Sequence, residues 1–401
     1  MLAAPENWFQ NLPAAVPDTG PSQNGGRVAL RVTSTVIRGP TEPGPPGWKD
    51  APRGPSTQRL ALCPRAPSPI LLGMLRKRSA DTTVPIVSHR ALLRVPLPPP
   101  TDFTLCVRRY AAFGRDEANR LDEAGALRFV RALDGERYLA IVRGTGTPAA
   151  PTARVEILGT APPGTQVRAR VREEVRWRLG APFDLASFEQ SARRDPVLSR
   201  LVKEFRGYRP PLAPEPFESL VTSISAQQVN LAFAFATRSR LVRAFGPAVR
   251  TPEGGIFSAF PAPTDLAGAR TSHLRAMQFS GTKTRAILAL ARRLRRAPLS
   301  LAEVATWEDA RIHETLVAMH GIGRWTVDWF LARGLGRADA WPAGDLGVRK
   351  AVARFYFDGE DQPEDTVRAF GERFGGHRNL AAHYLLLGYM AEKRRKRAAD
   401  R

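Results

Sequence analysis

The chain is predicted to be an α+β protein: a mostly helical core preceded by a small antiparallel β-rich domain and a disordered N-terminal extension. Three observations carry this prediction. Eighteen of the 35 prolines lie in the first 100 residues, mixed with Gly, Ser and Thr and without apolar periodicity, a composition that cannot bury enough apolar surface to offset chain entropy. From about residue 101 apolar side chains alternate, and after Gly180 they recur at helical spacing. The implied divisions are an extension over 1–98, a β-rich domain over 99–180, a helical core over 181–392 and a basic tail over 393–401.

Length and composition narrow the function. At 401 residues with 43% apolar content the chain can bury real cores. Its 60 Lys and Arg against 38 Asp and Glu leave a net charge of +22, a balance that favours an anionic polymer through counterion release; a solvated, Arg-rich surface would look the same. Cys63 and Cys106 are the two cysteines, too few for a disulfide framework or a four-Cys metal site. The six histidines show no H-x-x-x-H or Cys/His pairing, so neither metal nor cofactor is expected. No basic n-region precedes an apolar core, and runs such as Pro69–Leu75 are far too short to span a bilayer. A cytoplasmic, monomeric protein outside the membrane is the expectation. Met74 is a candidate internal start, in which case the extension would be a start codon assigned too far upstream.

Taken in order, Phe103, Leu105 and Val107 alternate with Thr104 and Cys106 as in a strand. Ala126–Val130 and Tyr138–Val142 flank Asp134-Gly135, a dipeptide suited to a tight hairpin turn. Val155–Leu158 and Val167–Val171 read as two further strands around Pro162-Pro163-Gly164. Pro216 can open a helix without losing a needed amide. Phe217, Leu220, Val221 and Ile224 then form one apolar face that runs into the polar Ser225-Ala-Gln-Gln-Val-Asn230. A helix over Thr282–Arg296 ends in an arginine cluster, and a last helix around His383–Met390 precedes a frayed tail, Lys393–Arg397.

The chemistry centres on Leu316–Phe330 and Ala340–Lys350. Ile312, Leu316 and Met319 mark a buried helix face before Gly321-Ile322-Gly323. Gly321 suits the left-handed position that ends a helix, and Gly323 permits close approach of another backbone. The amides opening the next helix then point outward and can hold a phosphate. A G-I-G tripeptide alone is also an ordinary helix-helix turn. Asp345 follows a Pro342-Ala-Gly344 loop and opens an amphipathic helix carrying Val348, Val352 and Phe355. It can be a simple N-cap; the same placement lets a carboxylate face the sugar of an extruded nucleotide and stabilise positive charge at C1′.

These segments resemble the helix-hairpin-helix DNA glycosylases with a Gly/Pro-rich loop and a following aspartate, and are most similar to the 3-methyladenine DNA glycosylase II family. Arg206–Pro211, Pro216–Val229 and Phe279–Arg285 resemble further family segments in family order, so the likeness covers roughly residues 100–392. The resemblance implies that Asp345 is the catalytic aspartate, that Gly321, Ile322 and Gly323 hold a DNA phosphate, and that Gln228 wedges into the space left by the flipped base. Bifunctional relatives carry a Schiff-base lysine two residues past the second hairpin glycine; here Trp325 stands there. The implied activity is monofunctional removal of alkylated purines such as 3-methyladenine and 7-methylguanine from double-stranded DNA, without lyase activity. Trp325 is either a core residue or a platform for the base. Tyr384, Leu386 and Tyr389 lie on the late helix that closes the pocket in relatives, with Leu386 assigned to the base pocket, and Trp329 is expected to be structural. The alternatives are a non-catalytic helix-hairpin-helix DNA-binding protein and a bifunctional oxidised-base glycosylase with lyase activity.

Overall fold

The structure, a computed structural model, describes residues 84–400. Most of the expected extension, with Cys63 and Met74, lies outside the described residues. The part within them corrects the expectation. His89–Pro96 is strand β1, paired antiparallel along its whole length with β5, Ala150–Gly159. Its alternation is readable only as Ala91 and Val95, the two residues it buries, and prolines on both sides mask it.

The remaining strands are β2 (Asn119–Leu121), β3 (Leu127–Leu133) and β4 (Glu136–Thr147), in sheet order β1-β5-β4-β3-β2. The β3–β4 hairpin turns on Asp134 and Gly135 at φ 52° and 83°, the positive angles that an Asp-Gly turn supplies. Both faces of this sheet are covered. Tyr138, Ala140 and Val142 of β4 pack with Phe129, Val155 and Ile157 on one face, while Leu139 and Ile141 pack with Val130, Val249 and Phe257 on the other. Covering on both sides makes β4 read as a continuous apolar run rather than a clean alternation.

Two expected strands are helices. Phe103–Val107 is α1, capped by the Asp102 carboxylate, which accepts from the Leu105 amide (2.9 Å). It buries the neighbours Cys106 and Val107 rather than alternate residues. Val167–Val171 belongs to α2, Thr165–Arg178. Val167, Val171, Val175 and Leu179 lie four apart and pack on the sheet; a five-residue window cannot separate that spacing from alternation.

The rest is helical apart from a small hairpin, β6 (Ala248–Arg250) with β7 (Ile256–Ser258), which covers the second sheet face. The helices are α3 (Leu185–Ala192), α4 (Pro196–Glu204), α5 (Pro216–Ala226), α6 (Leu231–Phe245), α7 (Pro263–Ala267), α8 (Thr271–Ala276), α9 (Gly281–Arg296) and α10 (Leu301–Ala305). They are followed by α11 (Asp309–Val317), α12 (Arg324–Trp329), α13 (Leu346–Tyr356), α14 (Glu364–Gly371) and α15 (Arg378–Ala399). Helix α5 is central: Phe217, Leu220, Val221 and Ile224 are all buried, as their spacing predicts. The tail expected to fray is helical instead. Helix α15 continues through Lys393–Arg397, where Arg395 pairs with Glu204 (2.9 Å) and cations suit the negative end of the helix dipole. Among the described residues no helix is long and apolar enough to cross a membrane.

A buried ionic seam joins the sheet to α5 and α6. Arg238 of α6, 2% exposed, pairs with Glu218 of α5 (2.5 Å) and with Asp116 just before β2. Asn119 of β2 donates to both of those carboxylates (3.1 Å each) and accepts from Arg178 of α2. Arg178 also pairs with Glu174 (2.7 Å), which takes Arg131 of β3 (2.7 Å). Burial works against the Arg178 charge, but Glu174 and then Glu218 outweigh it and raise its pKa. Removing one partner strands charges that have no water to turn to. Arg238→Leu is therefore expected to cost about 3–5 kcal/mol of folding stability, read as a lower midpoint in a denaturant titration.

Candidate active site

The expected turn lies between α11 and α12. Gly321 has φ 81°, and a Cβ there would stand 2.4 Å from the Cβ of Ala286 on α9, so both its backbone angle and its packing require glycine. Gly323 differs. It is the N-cap of α12 at φ −104°, and an added Cβ would meet nothing within 4 Å. The open space lies on the outer side of the turn, and the buried Ile322 anchors the turn from within.

The turn is fastened to α5 by a residue that the sequence reading passed over. Gln227 caps α5 and donates through Nε2 to the Gly321 carbonyl (3.0 Å) and the Thr326 hydroxyl (3.0 Å). Its neighbour Gln228 is exposed and takes a left-handed φ of 52°, which non-glycine residues rarely adopt. Among the described residues the Gln228 side chain has no hydrogen-bond partner. The polar break after Ser225 was the available signal, but nothing in it separates the glutamine that grips from the one that projects. At the end of α5 is a cavity of about 240 Å³, lined in part by Ser225, Val229 and Lys283. The Lys283 ammonium donates to the Ser225 carbonyl (2.8 Å), and burial pushes its pKa down to about 8.

Asp345 is the N-cap of α13 and is 7% exposed. Its Oδ1 accepts from the Val348 amide (3.1 Å), and its Oδ2 accepts from the indole Nε1 of Trp325 and of Trp329 (3.1 Å each). Helix α12 presents both indoles because they lie four residues apart on one face. Trp329, expected to be structural, is buried and also holds the acid. Trp325 is partly buried beside the core.

Beyond α12 the chain makes a π-helical turn, Phe330–Gly334, a rare form that re-aims side chains. It folds Arg333 back over the Trp329 ring, 4.1 Å from guanidinium carbon to ring centroid. Arg333 Nε donates to Nε2 of His383 on α15 (3.0 Å), so the ring hydrogen sits on Nδ1 and donates to the Asn379 carbonyl (2.9 Å). His383 also meets Trp329 edge-on. Leu386 lies three residues after His383, on the same side of α15, and is partly buried. Tyr384 and Tyr389 are buried instead, and Tyr384 donates to the Tyr208 carbonyl (2.9 Å). The geometry thus gathers the hairpin, Gln227, Asp345, Trp325, Trp329, Arg333 and His383 through direct contacts. Gln228 follows Gln227 directly, and Leu386 shares the His383 face.

A family model described as HhH-GPD superfamily base excision DNA repair protein matches residues 221–375. A DNA-3-methyladenine glycosylase of Bacillus subtilis is 30% identical over 169 residues, covering 42% of this chain and 55% of the relative. DNA-3-methyladenine glycosylase 2 of Escherichia coli is 28% identical over 185 residues, covering 46% and 62%. This chain therefore spans less than two thirds of either relative. Among solved structures, a 3-methyladenine DNA-glycosylase from Archaeoglobus fulgidus superposes with a TM-score of 0.64 at 26% identity, covering 74% of this chain and 97% of that one.

His383 is 2% exposed, and burial, then the Arg333 charge, holds its pKa well below the ordinary 6.5. The folded state thus keeps this ring neutral where the unfolded chain would protonate it. Stability contributed by His383 is present above pH 6.5 and is lost as the pH falls below that value, at a limiting slope of about 1.4 kcal/mol per pH unit. His383→Gln is expected to remove that part of the slope when midpoints of denaturant unfolding are compared between pH 7.5 and 5.

Proposed function

We propose that this chain, whose residues 221–375 match a model of the HhH-GPD superfamily of base excision DNA repair proteins, is a monofunctional DNA glycosylase that releases alkylated purines, among them 3-methyladenine and 7-methylguanine, from double-stranded DNA. The observation that carries this reading is the carboxylate of Asp345, buried at the start of α13 and aimed by two indoles and an amide. An acid held only to cap a helix needs one amide; the two indole donors on the second oxygen are not required for capping.

In the proposed reaction the open side of Gly321-Ile322-Gly323 takes a phosphate through backbone amides, while Gln228 fills the gap left by the extruded nucleotide. The C1′–N bond breaks with its electron pair going to the base, so a cationic alkylpurine departs neutral. Asp345 stabilises the positive charge left on the sugar and orients the water that attacks C1′; the proton of that water passes to solvent. A base that leaves neutral needs little protonation, so a single carboxylate suffices. The Trp325 indole is tethered at its nitrogen to Asp345, and its ring remains a candidate face for the base, with a cation-π gain for a charged one. Trp325 stands where the bifunctional relatives carry their lysine and has no amine for a Schiff base.

Base release from methylated DNA tests the role of the acid. Asp345→Asn is expected to fold, since Asn is also a good N-cap, and to lower the single-turnover rate at least about 100-fold. Equal rates would remove Asp345 from the chemistry, and no release by the wild type would favour a binding protein. Borohydride treatment during the reaction is expected to trap no protein-DNA adduct; a trapped adduct would assign the chain to the bifunctional class.

A further inference from the structure

We propose that Arg94, Arg143 and Arg154, set side by side at the open end of the β-sheet, form a second duplex-DNA contact that holds backbone phosphates outside the stretch taken up at Gly321-Ile322-Gly323. The inference rests on the DNA-binding part of the reading above and extends it to a domain which that reading leaves unused. Arg154 of β5 lies directly opposite Arg94 of β1 on one side and Arg143 of β4 on the other. Residues opposed in this way share one face of a sheet, with Cβ atoms about 5 Å apart. Strand β3 reaches only to Val142, so at Arg143 the sheet has narrowed to three strands and the arginines fill its width. The β6–β7 hairpin covers this face at Leu139 and Ile141. Beyond it all three arginines are exposed.

Among the described residues none of the three has a hydrogen-bond or ion-pair partner. Glu156, two residues along β5 on the same face, is taken by Arg90 (2.6 Å). On the other side of the row stand Thr145 and Thr152, their hydroxyls 2.7 Å apart. A hollow of about 290 Å³, lined by Leu92, Leu93, Arg94, Thr145 and Arg154, opens beside it. Like charges directly opposite one another destabilise a sheet, so the row is a local cost to folding that a bound anion offsets. Charge decides which anion. Residues 1–83 hold 10 Lys and Arg against 5 Asp and Glu, and a second copy of the chain carries a net charge of +22, so neither complements the row. Duplex DNA presents one negative charge per about 1.7 Å of its axis, dense enough to meet adjacent arginines together. Guanidiniums pair bidentately with phosphate, and neighbouring hydroxyls suit the same oxygens.

The test is binding of an undamaged duplex, followed by fluorescence anisotropy across a salt series. Replacing all three (Arg94→Thr, Arg143→Thr and Arg154→Thr), with threonine chosen as a good strand former, is expected to weaken binding. The slope of log affinity against log salt should fall by about 2–3, at about 0.9 per phosphate contact, and Arg154→Thr alone should lower it by about 1. A charge-matched control, Arg170→Gln with Arg172→Gln and Arg193→Gln, removes three exposed cations elsewhere and should change the slope by less than about 1. Without DNA the triple threonine variant is expected to unfold at a higher denaturant midpoint, since repulsion between the strands is relieved. Base release at saturating methylated DNA should keep its wild-type single-turnover rate, because the row lies outside the site. An unchanged slope in both threonine variants, or an equal fall in the control, overturns the contact; base release by wild type in that case leaves the glycosylase reading standing. A wild type that neither binds duplex nor releases a base overturns both.

Discussion

The buried pairing of Arg238 with Glu218 and Asp116 is the constraint from which much of the molecule follows. Glu218 sits on α5 and Arg238 on α6, in helices otherwise committed to the apolar core. A lone ion pair there would leave carboxylate lone pairs and guanidinium hydrogens unmet. Asp116 and Asn119 supply the missing partners from the sheet side. The helical part is therefore chemically incomplete without the sheet. The same seam fixes the chain that leads from α1 into β2.

The seam also sets the orientation of α5, whose last turn delivers Gln227 to the hairpin. Three separate pieces of chain meet there: the end of α5, the glycine turn with α12, and the loop leading to α13. None of them contains a complete site. Gly321 needs the small Ala286 of α9 beneath it, and Asp345 needs indoles from α12. The site is an intersection of elements, and each element is held by packing at some distance from it.

What could be read from the sequence follows from this arrangement. The hairpin, the α5 face and the Asp134-Gly135 turn are patterns carried by neighbouring residues, and the structure contains all three. Short apolar stretches were ambiguous: Phe103–Val107 and Val167–Val171 fit alternation over five residues, and only a longer window at 167–179 separates strand from helix. Strand β1 was hidden because its edge position leaves much of it exposed between prolines. At the site, Asp345 and Trp325 stood out through the resemblance. Gln227, Arg333 and His383 did not, because their roles arise from contacts between residues far apart in the chain. Arg333 in particular depends on a π-helical turn, for which no simple sequence rule exists.

The two indole bonds on Asp345 carry a consequence for how such a protein would scan a genome. Both rings are bound to the core, so the acid is set before any nucleotide arrives, and little protein rearrangement is left to pace an encounter. The time spent on each candidate is then governed by how readily the duplex lets a nucleotide leave its stack. In the proposed reaction, lesions that weaken pairing or stacking would present themselves more often, and intact bases would be passed over chiefly because they seldom emerge. Discrimination on this view is shared between the mechanics of the DNA and a rigid receptacle, which favours brief, repeated sampling along the duplex over long residence at any one position.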